Sequence, residues 1–153
     1  MTNILDSLEE RVNTNEFQRL LQTIADGWNT KDAKKAVECF IDDAVYIEPP
    51  DKQFFQGKNQ LYQYFGGDDG FDMKLTWHHV FFDEEKQQGA GEYTFEMNDI
   101  IHHGVAILEL ENGKIKLWRE YDVTGNLSYE DFLKTEGKQF KFTYATPHAM
   151  LKA

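Results

Sequence analysis

The sequence predicts an α+β cone, in which N-terminal helices pack in a strongly curved antiparallel sheet that closes around an internal pocket. Three observations predict it. Apolar residues recur at helical spacing up to about residue 65 and at a spacing of two from residue 72 onward. Helices followed by a strand meander form a two-layer α+β arrangement. Gly89 and Gly91, inside one strand-like run, mark a bulge or strong bend, and a long bent meander curls. Helices laid in the curl leave a conical hollow, the usual ligand site of such a domain.

The elements follow in order. Leu5, Leu8 and Val12 place a short helix at 3–12. Phe17, Leu20, Leu21, Ile24, Ala25 and Trp28 form the apolar stripe of a longer helix, with Thr14 or Asn15 as its cap. Ala33, Ala36, Val37, Phe40 and Ile41 form the stripe of a second helix, which also carries Cys39. Residues 44–48 read as a strand, closed by Pro49-Pro50 because proline cannot donate to a ladder. After Gly57 comes a third short helix with Leu61, Tyr64 and Phe65. Four strands follow at about 72–83, 87–98, 101–111 and 114–123. Asn112-Gly113 joins the last two, because both residues tolerate the positive φ of a tight hairpin. Ser128, three residues before Asp131, opens a terminal helix. In the tail, 138–147, Phe140, Phe142 and Tyr144 alternate with polar residues, which fits a docked extra strand. One domain spans 1–153, with its core at about 16–125 and the terminal helix and strand at 128–147.

Composition narrows the partners. A formal net charge of -11 repels phosphate backbones and anionic lipid, so neither nucleic acid nor membrane is expected to bind. Aromatics make up 14% of the chain, enough to wrap a cavity. The single cysteine excludes an intrachain disulfide, and among apolar neighbours it reads as an inert buried thiol. The acidic N-terminus has no long apolar run, so the cytoplasm is the expected compartment.

Two stretches carry a family resemblance. GWNTKDAKKAVECFIDDAVYIEPP has an aromatic-Asn pair, an Asp, a helix, then Asp-Asp-Ala before a strand ending in proline. HHGVAILELENGKIKLWREYDVTG has a Gly-Val-Ala opening, a Gly-Lys-Ile turn and a Trp-Arg-Glu-Tyr-Asp strand. In this order and spacing, over about residues 16–125, they resemble SnoaL-like proteins of the nuclear transport factor 2-like superfamily. The resemblance implies the cone-shaped, cystatin-like fold. It leaves the activity open, because the superfamily includes isomerases, cyclases, hydrolases and non-catalytic binders.

Candidate chemistry centres on carboxylates. Glu48 precedes Pro49 and shares a strand face with Tyr46. In the ketosteroid isomerases, which this segment resembles, that position is the general base. The oxyanion donors of those enzymes correspond to Ile24 and a position near Ala106, neither of which can donate. Trp118 and Glu120 share a face of the last strand and resemble the Trp-Arg-acid strand of limonene epoxide hydrolases. There the acid activates water, and Tyr46 resembles a water-positioning tyrosine. The neighbouring run, Glu92 to Glu96 with Thr94 at its centre, lacks that family's arginine. The histidine of the SnoaL cyclases corresponds to a position near Ile107. Two facing carboxylates in a dry pocket would split into an acid and a base.

Trp28, Trp77, His79, Trp118 and Thr94 are expected to line the pocket, with His79 or His102 as its one inward histidine. The pairs His78-His79 and His102-His103 place adjacent rings on opposite faces, so they cannot converge on a metal, and no metal or cofactor is expected. Arg119 and Tyr121 point to the other face. Val105 and Ile107 alternate with Ala106 and Leu108, so both faces of that strand are apolar, and a homodimer through the outer sheet face is expected. Two functions stay open. One is a cofactor-independent enzyme working on a small apolar molecule through Glu48, Glu120 and Tyr46. The other is a non-catalytic ligand-binding or dimerisation domain.

Overall fold

A computed structural model describes residues 9–48 and 53–134. The elements run α1 (Thr14–Asn29), α2 (Ala33–Val37), β1 (Phe40–Glu48), β2 (Gln53–Gln56), α3 (Lys58–Tyr64), β3 (Met73–Asp83), β4 (Gln88–Met97), β5 (Ile100–Glu111), β6 (Lys114–Gly125) and α4 (Tyr129–Leu133). They form an α+β fold with a six-stranded sheet in the order β2-β1-β6-β5-β4-β3. Its pairings are antiparallel except β1 with β6, which run parallel. Register shifts in β1–β6, β3–β4 and β5–β6 add local twist, and the sheet curls around α1.

Helix α1 is capped by Asn13, one residue before the expected cap. Asn13 accepts from the Glu16 backbone N–H while the Glu16 side chain accepts from the Asn13 N–H, a reciprocal capping box. Its buried stripe is Phe17, Leu21, Ile24, Ala25 and Trp28, which lies in the curl of the sheet. The Asn112-Gly113 turn has φ of 48° and 75°, as a two-residue hairpin with positive φ at both positions requires.

Several boundaries differ from the sequence expectation. The second helix ends at Val37, and Phe40 and Ile41 open β1. Cys39 lies between them, buried, with its thiol pushed up to about 11 by burial. Strand β2 was not expected. Gly89 and Gly91 do not make the bulge. The extra residue is His78, between Trp77 and His79 on β3. The two glycines admit rings instead: a Cβ on Gly91 would stand 2.5 Å from the Trp77 ring, and one on Gly89 2.5 Å from Phe17. The expected helix at 3–12 lies mostly outside the described residues, and its described end, residues 9–12, is not helical. The expected tail strand at 138–147 lies outside them.

Helix α4 covers part of the outer sheet face. Tyr129 stacks on His78 at 3.4 Å between ring centroids, and Phe132 stacks on His103 at 4.8 Å. The rest of that face leaves Val105, Tyr121 and Val123 exposed. Among the described residues no helix is long and apolar enough to cross a membrane.

Candidate functional site

The concave face of the sheet, α1 and α3 enclose a cavity of about 520 Å³. Alternation decides which side chains enter it. Strand β1 contributes Tyr46 and Glu48, β4 contributes Tyr93, Phe95 and Met97, and β6 contributes Glu120 and Asp122. Trp28 of α1, Gln63 and Tyr64 of α3 and His102 of β5 complete the polar part of the wall, while Phe65, Phe71, Met73 and Leu75 are apolar.

Glu120 is the central group. Its side chain is buried, and its Oε2 accepts from the Tyr46 hydroxyl at 3.0 Å and the Trp118 Nε1–H at 2.8 Å. Burial, then the charge of Glu48, pushes its carboxyl up to about 8. Glu48 is hydrogen-bonded to Glu120 and also accepts from the Tyr64 hydroxyl. Burial raises the Glu48 carboxyl as well, and the hydrogen bond from Glu120 opposes that rise. Of the two acids, Glu120 is the one that burial and the neighbouring charge favour in its protonated form. Because Oε2 of Glu120 already receives two donors, Oε1 is the atom left to carry that proton. The buried hydroxyls of Tyr46 and Tyr93 are raised by desolvation and by Glu120, so they remain neutral donors.

Position along the strands grades the cavity by depth. Glu120 pairs in register with Ala106, Asp122 with Gly104 and Thr124 with His102. Asp122 and His102 are more exposed and lie within 3.4 Å of each other. The Trp28 indole is buried, and its Nε1–H has no hydrogen-bond partner among the described residues. No lysine or arginine is among the described residues lining the cavity, and no group of three His, Cys, Asp or Glu among them is disposed to hold a metal ion.

The structure brings Tyr46, Glu48, Glu120 and Trp28 to this one cavity, while Trp118 lies just behind its wall, stacked on Tyr46 at 5.3 Å. Three expected lining residues are elsewhere. Trp77 faces the helices, donating to the Leu21 carbonyl and packing on Tyr93 and Trp118, but does not reach the cavity. The extra residue in β3 turns His79 outward, where it meets Glu92 at 2.7 Å. Thr94 lies on the outer face between His78 and His103, since its neighbours Tyr93 and Phe95 take the inner one. Arg119 also faces outward, 3.8 Å from Glu109. The sequence reading missed Tyr64, Tyr93 and Asp122. Asp122 follows Glu120 by two on one strand, a signal that was present; Tyr64 on a short helix gave none.

Comparison with known proteins agrees with this architecture. A family model described as SnoaL-like domain matches residues 21–118. A protein of cystatin-like fold from Methylobium petroleophilum is 19% identical, with a TM-score of 0.66 over 86% of this chain and 99% of that one. The epoxide hydrolase/cyclase-like enzyme SalBIII, of pyran ring formation in salinomycin, is 17% identical, with a TM-score of 0.64 over 78% and 95%. An epoxide hydrolase of limonene-epoxide-hydrolase-like type from M. tuberculosis is 19% identical, with a TM-score of 0.58 over 72% and 84%. At these identities the likeness is one of fold. No curated protein matches the chain by sequence.

Proposed function

The chain belongs to the SnoaL-like domain family, and we propose that it is a cofactor-independent acid–base enzyme acting on a small, largely apolar molecule held in the cavity. One observation carries the reading: the buried carboxyl of Glu120, held by Tyr46 and Trp118, shares the cavity with a second acid, Glu48, and burial and that neighbour push it up to about 8. Glu120 gives its proton to a substrate oxygen. Glu48 takes one from an attacking water or hydroxyl, or from carbon. In epoxide opening the proton then returns from Glu48 to Glu120 and the pair is reset; in double-bond migration Glu48 instead delivers its proton to the far carbon of the dienol, and Glu120 regains its own from the enol oxygen. Tyr46 and Trp118 hold Glu120 in place by donating to the oxygen that does not react. Epoxide opening and double-bond migration both need this pair. The epoxide-hydrolase relatives favour the first.

A turnover assay on a terpene epoxide and a β,γ-unsaturated ketone tests the reading. Glu120→Gln should lower turnover by about 10²–10⁴-fold while leaving substrate binding in place. Saturable binding with no turnover by the wild type of either substrate would support the alternative, a non-catalytic binding domain. One feature favours that alternative: Ile24 and Ala106 in the core give no further donor to a developing oxyanion.

We also propose that the chain acts as one domain in the cytoplasm and pairs as a homodimer. The exposed Val105, Tyr121 and Val123 on one patch of the outer sheet support a symmetric contact. Light scattering that gives a monomer at micromolar concentration would refute the dimer.

A further inference from the structure

His102 stands in the cavity wall with one ring nitrogen engaged and the other open. Its Nδ1 lies 3.0 Å from the Thr124 hydroxyl and 3.4 Å from Asp122 Oδ2. A carboxylate only accepts, so its charge holds the ring hydrogen on Nδ1, where the Thr124 oxygen accepts it. In the neutral ring Nε2 is then a bare acceptor. Among the described residues only the Trp28 nitrogen is both unpaired and sealed from water, so His102 Nε2, which also lacks a partner there, stays open to it. Strand alternation sends this ring to the concave side, in one row with Phe95 and Thr124. The row fixes its distance from the proton site. Glu120 stands opposite Ala106, four residues along β5 from His102, so the two rows are about 13 Å apart along the strand. The ring leans back to Asp122, in the row between, which brings its imidazole to roughly 10 Å from the Glu120 carboxyl. Beside that span the wall is carried by Leu75, Phe95 and the ring of Tyr93.

We propose that the cavity takes an elongated, neutral molecule with an oxygen function at each end: the reacting oxygen at Glu120 and, in the row of His102, a hydroxyl that donates to His102 Nε2. The proposal rests on the acid–base reading of the same site and names its substrate class. His102 determines specificity; it stands too far from Glu120 to move the reacting proton. Asp122 and Thr124 are positioning residues that fix its tautomer. A hydroxyl is selected over an ether or carbonyl at that end, because those oxygens would set a lone pair against the bare Nε2. An anionic end is rejected by Asp122 beside it. Burial of the apolar body along Leu75 and Phe95 supplies most of the affinity, and the hydroxyl supplies the choice among bodies of one shape.

Isothermal titration at pH 8 with three rigid probes of about the right length tests it: 4,4′-biphenol, 4-phenylphenol and 4′-methoxybiphenyl-4-ol. The diol should bind about five- to tenfold tighter than either of the others. In His102→Phe, which keeps a ring beside Phe95, that preference should fall to the about twofold that the symmetry of the diol alone gives, while 4-phenylphenol binds as before. A readout on the wild type does not depend on any variant folding. Long-range ¹H–¹⁵N spectra should show the hydrogen of His102 on Nδ1 and none on Nε2, and the diol should shift the Nε2 resonance where 4-phenylphenol does not. The proposal is overturned if the methoxy probe binds as tightly as the diol, if the preference survives in His102→Phe, if Nε2 carries the hydrogen, or if none of the three binds saturably up to its solubility limit. The two readings fail separately. If the diol preference is absent but an epoxide or enone is turned over, the acid–base chemistry stands and the His102 subsite falls. If the preference depends on His102 and nothing is turned over, the subsite stands and the catalysis falls.

Discussion

Glu120 and Glu92 stand on neighbouring parts of one sheet but on opposite faces, and their carboxyls are pushed in opposite directions. Glu120 is buried against Glu48, and burial raises it to about 8. Glu92 faces outward and is held low, first by the hydrogen bond with His79 and then by the one from Tyr129. Both accept from tyrosine hydroxyls, so those bonds do not account for the difference. Burial and the neighbouring Glu48 on one side, and the further hydrogen bond with His79 on the other, do. The concave face removes water and offers a second acid, whereas the convex face keeps water and offers an imidazole. The same residue type becomes a proton reservoir on one side and an ordinary anion on the other.

The largest break in this comparison should come from Trp118→Ala. Trp118 is fully buried, packs on Trp28, Phe40, Tyr46 and Trp77, and donates to Glu120. Its removal should cost about 3–5 kcal/mol in a urea titration. Phe81→Ala, on the outer face and 68% exposed, should stay within about 0.5 kcal/mol of wild type. Equal losses would mean that the two faces do not differ as described.

The pH dependence should carry opposite signs on the two faces. Glu120 has its folded pKa raised from 4.5 to about 8, so above 4.5 the native state keeps a proton that the unfolded chain has released. Its contribution to stability therefore falls as pH rises through that window, by at most about 1.4 kcal/mol per pH unit. Glu92 has its folded pKa lowered, so its contribution is present above the unfolded value and is lost as pH falls through the folded one. Melting curves at pH 5.5 and 8.5 separate the two. Glu120→Gln mimics the protonated acid, and its melting temperature should exceed the wild type's at pH 8.5 and approach it at pH 5.5. Glu92→Gln should show no such gain. A wild type whose stability is flat across this range, or matched by Glu120→Gln at both pH values, would place the proton elsewhere.

Gly104→Ala sharpens the comparison at closer range. A Cβ there would stand 2.6 Å from the Tyr93 hydroxyl and 2.8 Å from the Tyr121 carbonyl, so Tyr93 must leave its place beside Glu120. The change should cost about 1–3 kcal/mol and lower ligand affinity. Gly125→Ala, at the end of the same sheet, meets nothing within 4 Å and is the neutral control.

Much of this geometry was legible because a strand has a period of two. Tyr46 with Glu48, and Trp118 with Glu120, share faces for that reason alone, and their meeting followed from strand order. Where period reading failed, a physical cause is visible. Phe40 and Ile41 extend a helical stripe and a strand equally well, and only the end of α2 at Val37 decides between them. Strand β2 is four residues long, too short to show a period. The extra residue at His78 shifts β3 by one place, which no composition signal marks, and so His79 was assigned to the wrong face. Thr94 needed the neighbours' assignment rather than its own type. The orphaned Trp28 N–H and the absence of a cation from the described lining are relations in space, and no string of residues contains them.

The smallest effect should come from Tyr129→Phe, which tests whether α4 is held by the outer face as a separate local unit. Tyr129 stacks on His78 and its hydroxyl donates to Glu92 at 2.7 Å. A second tie lies beside it: His103 Nε2 is 2.8 Å from the Leu127 carbonyl, which can only accept, so that nitrogen carries a hydrogen. In the neutral ring Nδ1 is then an acceptor, and the Thr94 hydroxyl donates to it at 2.9 Å. The hydroxyl oxygen in turn accepts from His78 Nε2 at 2.7 Å. This chain of donors links α4 to the sheet without touching the cavity. Losing the Tyr129 hydroxyl removes one tie and leaves the stack and the His103 bond. Global melting should therefore hardly move. The Phe132 amide, bonded to the Ser128 carbonyl inside α4, should exchange roughly three- to tenfold faster, and probe binding in the cavity should stay unchanged. If the substitution alters ligand affinity, the two faces are coupled through β4, whose Tyr93 and Thr94 are adjacent, and the separation drawn between them fails.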